Sequence, residues 1–204
     1  MTRIEHNEKV LNMRIFLSTL ILIFSFQSWT NADDISEFEI EGMSIGDSLL
    51  DYMSKKRIKK KIVNQGYHND DFKAILLNIQ DKEIKIYDYL YIDYKNDNKF
   101  IIHSLAGIID FNKKSIKKCF KKKKEIVNEL KLIFPNSDLI NDEIPHEADT
   151  SGKSIVYRAS FSHSESFYWP IEVACFDWSK KVKYEDHLRV SIKSDDYNDW
   201  LFEE

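Results

Sequence analysis

The chain has 204 residues, 30 basic against 34 acidic side chains, a formal charge of −4, two cysteines and five glycines. That balance excludes a surface built to grip nucleic acid as a whole. With so few glycines, and no GxGxxG, Walker or GxSxG string, a backbone phosphate cradle is not expected either.

Residues 13–32 read MRIFLSTLILIFSFQSWTNA. Arg14 precedes twelve mostly apolar residues, 15–26, and Thr30 and Ala32 stand three and one before a possible cut ahead of Asp33. Charge, apolar run and small-residue site in that order are what signal peptidase reads. The expectation is a leader over residues 1–32, cut near Ala32, with Met13 as an alternative start. Residues 33–204 then form a single domain in the periplasm or outside the cell. A membrane-spanning helix takes about 20 apolar residues, so an inner-membrane anchor over residues 15–26 is the alternative.

Residues 38–41 alternate as a short strand would. Ser44, with Asp47 three residues on, has the spacing of a capping box ahead of a helix carrying Leu49, Leu50 and Met53. Ser54 caps a second helical stretch, where Ile58 and Ile62 stand four apart. Residues 72–79 form a strand. Over residues 83–94, Ile84, Ile86, Leu90 and Ile92 fall on one parity and Tyr87, Tyr89 and Tyr91 on the other, which predicts a strand with an aromatic outer face. Residues 99–111 return as its partner.

Ile116, Cys119, Phe120, Val127, Leu130 and Phe134 recur close to the helical period, and Pro135 ends that helix. Residues 136–152 hold five acids and no lysine or arginine, and read as a long loop. Strands follow over residues 154–162, 170–178 and 187–194, then a turn of helix over 195–201. The predicted fold is α+β: two successive units of a helix plus a three-strand antiparallel meander, with the helices packed on one face of the sheet.

The segment FEIEGMSIGDSLLDYM, residues 38–53, and the string from Tyr184 to Leu201 resemble the two ends of small uncharacterised exported proteins of AT-rich marine bacteria. That resemblance implies export and no particular activity. The Gly-Met-Ser turn ahead of a helix and the repeated helix-plus-meander pattern look like the outer-membrane assembly lipoprotein and β-lactamase-inhibitor folds. The chain departs from the lipoproteins in having no cysteine after the cut to accept lipid.

An isolated cysteine pair in an exported chain points to one disulfide, Cys119–Cys175, with two buried thiols as the alternative. Cys119 lies on the apolar stripe of its helix and Cys175 shares parity with Ile171 and Val173, so a helix-to-sheet bridge is geometrically reasonable. Two basic runs stand out: residues 55–61, and eight lysines from Lys113 to Lys124, including Lys117, Lys118, Lys121 and Lys122. A lysine-rich helix face docks on anionic lipid or another polyanion; its plainer reading is a solvated face in a lysine-rich composition. Tyr87, Tyr89 and Tyr91 form the other candidate surface, unless a helix covers them.

No two of the five histidines after the leader have metal-ligand spacing. His146 with Glu147 and Asp149, or His163 with Glu165, would serve only if the fold gathered them. A cysteine nucleophile would need His103 or His163 beside it and would be consumed by a disulfide. No cofactor and no catalytic residue is expected. The first expectation is a non-enzymatic envelope protein that binds another protein or an anionic surface. A small-molecule or lipid-binding module is second, and a hydrolase third.

Overall fold

The computed structural model describes residues 38–111, 115–162 and 170–203, all within the unit formed by residues 33–204. The leader expected over residues 1–32 lies outside the described residues, as do Lys113, Lys114 and His163.

The elements in chain order are α1 (Leu49–Tyr52), α2 (Lys55–Lys61), β1 (Ile62–Val63), β2 (Phe72–Asn78), β3 (Tyr89–Lys95), β4 (Ile102–Phe111), α3 (Ile116–Ile133), β5 (Asp138–Pro145), β6 (Ile155–Ser162), β7 (Ile171–Asp177), β8 (Asp186–Lys193) and α4 (Asp195–Phe202). The strands form one eight-stranded antiparallel sheet in the order β1-β2-β3-β4-β8-β7-β6-β5. Each half of the chain contributes four neighbouring strands, and β4 and β8 join the halves along eight register pairs, from Ser104↔Lys193 to Phe111↔Asp186.

Alternation divides the sheet into two faces. Ile75, Leu77, Leu90, Ile92, Leu105, Val173, Cys175, Leu188, Val190 and Ile192 fill the first face and belong to one core cluster. Helix α3 lies on that face, contributing Cys119, Val127, Leu130 and Phe134. Its inward stripe follows the spacing expected from the sequence except at Phe120, which is exposed and meets the Tyr157 ring instead, and the Cys119–Cys175 disulfide joins the helix to β7, with the two Cα atoms 5.9 Å apart.

Several expectations change. The two units are not a helix plus three strands each: residues 138–145 are a strand, not a loop, and α4 packs on the second face of the sheet rather than beside α3. There Tyr197 and Trp200 form a cluster of their own with Phe72 of β2. The turn 44–47 is not yet helix. The Asp47 carboxylate accepts the Ser44 N–H at 2.8 Å, and the cap of α1 is Ser48, whose hydroxyl accepts the Leu50 N–H. Ser54 does occupy the N-cap of α2, and Ile58 is buried there, but Ile62 has left the helix and is exposed.

The strand predicted from residue 83 begins only at Tyr89, because two carboxylates fold the preceding segment into turns. Asp81 accepts the Asn78 N–H, and Glu41, on a positive-φ turn, accepts the N–H groups of Lys85, Ile86 and Tyr87 at 2.7–2.9 Å. Tyr87 therefore turns toward the first face, where its ring lies over Gly107 of β4. A Cβ at position 107 would meet that ring at 2.6 Å. Gly107→Ala is expected to cost about 1–3 kcal/mol through overpacking, read as a lower urea midpoint. Restoring stability with Tyr87→Leu in the same chain would trace the cost to this contact.

Candidate functional site

Helix α3 presents the lysines singled out in the sequence, but not all alike. Lys117, Lys118, Lys121 and Lys124 are exposed. Lys122 reaches Glu125 at 3.8 Å. Lys123 bends inward, donates to the Tyr157 carbonyl at 2.8 Å, and is held below the ordinary lysine pKa by burial. Lys117, Lys121, Lys124 and Lys131 stand at spacings of four, three and seven residues, which places them on one side of the helix. Among the described residues no carboxylate pairs with these four. The first turn of α3 holds Lys117 and Lys118 and no acid, although the positive end of the helix dipole disfavours cations there.

The other basic run behaves differently. Arg57 of α2 binds both Asp81 (2.9 Å) and Glu83 (2.7 Å), and Lys61 binds Asp81 at 2.7 Å. Asp81 keeps a pKa below the usual carboxylate range: burial opposes ionisation, but the Lys61 contact and the Asn78 N–H outweigh it. These cations close the turn between β2 and β3.

The tyrosines do not form one stripe. Tyr87 packs against the core, Tyr89 is only just exposed, and Tyr91 is half-buried. Tyr89 and Tyr91 lie on the second sheet face, in register with Ile108 and Ala106 of β4.

Between two aromatic clusters, that second face carries a polar stretch. Its floor is paved with small side chains: Ser104 and Ala106 on β4, Ser191 on β8, Ala174 on β7 and Ser160 on β6, none more than 6% exposed. Above them stand Arg189 and Lys193 of β8, Glu172 of β7, Arg158 of β6 and Asp142 of β5. Arg189, Ala174, Arg158 and Asp142 form one cross-strand row. Arg158 grips Asp142 with two hydrogen bonds and lies 3.6 Å from Glu172. Helix α4 walls one side with Asn198 and Phe202, leaving a hollow of about 220 Å³. Beside it a second hollow of about 240 Å³ shares Arg158 and Glu172 and runs to His146 and Phe176.

Under the far side of α4 a buried polar knot fixes the helix. Tyr67 donates to Asp93 at 2.5 Å and shares a 3.0 Å hydrogen bond with Tyr197, while Trp200 donates to Asn69 at 2.9 Å. Burial pushes the Asp93 carboxyl up. His103 contacts the Ser194 hydroxyl at 2.9 Å, but that hydroxyl already caps α4 by accepting the Tyr197 N–H.

The disulfide consumes both thiols, so the cysteine-nucleophile reading falls. Among the described residues no three His, Cys, Asp or Glu side chains gather as metal ligands. Asp149, near His146, instead accepts from Ser151 and Ser154. No described helix is long and apolar enough to cross a membrane. No family model, no curated protein sequence and no solved structure matches the chain.

Proposed function

We propose that the protein is an exported, non-enzymatic interaction module that docks on an anionic lipid surface through the outer side of α3. The observation that carries this reading is the set Lys117, Lys121, Lys124 and Lys131: cations on one side of a helix, unpaired among the described residues. Arg57, Lys61, Lys123 and Arg158, by contrast, are held by partners within the fold. The disulfide behind α3 makes the helix a stiff platform, and supports export, since such bonds persist in oxidising compartments. The resemblance of residues 38–53 to exported bacterial proteins points the same way.

Vesicle co-sedimentation tests it. Phosphatidylcholine vesicles containing phosphatidylglycerol should bind the protein at low salt, and phosphatidylcholine alone should not. Changing Lys117, Lys121, Lys124 and Lys131 together to Gln should cost about 4 kcal/mol, at about 1 kcal/mol per lysine near an anionic surface, or about a thousandfold in affinity. Absence of binding at low salt, where screening is weakest, would refute the reading.

A further inference from the structure

The two edges of the sheet differ. β1 closes one with two residues, and β5 closes the other with eight. All eight residues of β5 pair with β6, from Asp138↔Ser162 to Pro145↔Ile155, without a shift in register. The next pair in that register, His146 and Ser154, is joined by a hydrogen bond from the His146 N–H to the Ser154 carbonyl at 2.8 Å. In an antiparallel ladder, hydrogen-bonded pairs alternate with pairs whose polar groups face the other way. Ile140, Asp142 and Ile144 therefore bond β6, and Leu139, Asn141 and Glu143 point their N–H and C=O groups away from the sheet. Among the described residues none of those outward groups has a hydrogen-bond partner. An open row of this kind is a template for another strand.

The side chains on this edge select among strands. Ile140 and Ile144 are 48% and 38% exposed, and lie on the second face of the sheet with Asp142 between them. Asn141 and Glu143 are exposed on the first face. Arg158 holds Asp142, but Asp138 and Glu143 form no ion pair among the described residues. Residues 136–152 hold five acids and no lysine or arginine. A second copy of β5 laid along the first would bring like charge to like, which destabilises a strand pair. A segment carrying lysine or arginine would be drawn to the same edge. The acids thus close the edge to self-pairing and leave it open to a basic strand.

We propose that the outer edge of β5 takes up an extended basic segment of a partner protein, adding one strand to the eight of the sheet. The partner's apolar side chains, on alternate residues, meet Ile140 and Ile144 on the second face. Its lysines or arginines, on the residues between, fall on the first face opposite Asn141 and Glu143 and exchange backbone hydrogen bonds with β5. In this mode the main chain supplies affinity and the alternate side chains supply selectivity. The edge has the opposite charge to the outer side of α3, so the two surfaces take different partners.

The test uses a short synthetic peptide alternating lysine and valine, added to the purified full-length protein. Binding is read by fluorescence anisotropy, and backbone amide exchange by NMR. The peptide should bind saturably, and a glutamate–valine peptide at least tenfold more weakly. The amides of Leu139, Asn141 and Glu143 should exchange more slowly in the complex. Backbone N-methylation at the peptide's lysines keeps the charge, removes the N–H groups aimed at β5, and should weaken binding at least tenfold. Asn141→Pro should do the same from the other side, because proline is tolerated on an edge strand where the N–H faces outward. A titration that stays linear, or an affinity within twofold of the original after N-methylation or in a folded Asn141→Pro variant, would overturn the proposal. So would protection of the three amides that grows with protein concentration in the absence of peptide, which would place a second copy on this edge. If Asn141→Pro fails to fold, the methylated peptide still decides, and its result does not depend on vesicle binding by α3.

Discussion

A double Cys119→Ala, Cys175→Ala variant should unfold with about 4 kcal/mol less stability than the wild type, by the chain-entropy account of a bridge of this span. The bond closes a separation of 56 residues and joins two fully buried positions. It spans most of α3, β5, β6 and most of β7, so breaking it frees about a third of the domain in the unfolded state while leaving the folded one nearly intact. Domains of this size are stable by only about 5–15 kcal/mol, so the change is large. Urea unfolding followed by tryptophan fluorescence measures it. The midpoint should fall, and the slope should hold or rise as the unfolded chain loses its constraint. A difference below about 1 kcal/mol would mean that the bridge adds little to a core that already positions α3.

Ile192→Ala should cost about 2–5 kcal/mol, the range for deleting a fully buried branched side chain. Ile192 is completely buried on β8, paired on one side with Leu105 of β4 and on the other with Ile171 of β7. It therefore sits at the seam between the halves, with neighbours on two strands that cannot both shift to close the gap. Leu132→Ala on α3 is the control. Leu132 is 83% exposed, and a surface truncation there should stay within about 0.5 kcal/mol. Equal effects at the two positions would contradict this placement of the core.

The sequence reveals those elements whose pattern burial imposes. Residues 72–78, 155–162, 171–177 and 186–193 alternate because one side of each faces the core, and α3 is visible through its apolar stripe. The cysteine pair, expected to bridge as an isolated pair in an exported chain, is joined in the structure, and its places on the apolar stripe of α3 and the inward parity of β7 are compatible with that. Strand β5 is hidden because nothing in DLINDEIP is deeply buried: Ile140 and Ile144 are exposed, and only the backbone ladder to β6 makes it a strand. The tyrosine stripe fails for the opposite reason. Its period-2 pattern is real, but Glu41 captures the backbone at residues 85–87 from more than forty positions away. The polar hollow is illegible in sequence, since β5, β6, β7, β8 and α4 each supply only one or two of its residues.

Strand β8 is the last strand of the chain and one of the innermost of the sheet, lying between β4 and β7. Until residue 193 is delivered, the two halves have no common strand, and β4 and β7 each lack a neighbour. Pairings so distant in sequence form slowly. In a polypeptide organised in this way, the two sets of neighbouring strands are joined only when β8 arrives. For a protein whose proposed place is beyond a membrane, such wiring would delay the joining of the two halves until β8 has crossed.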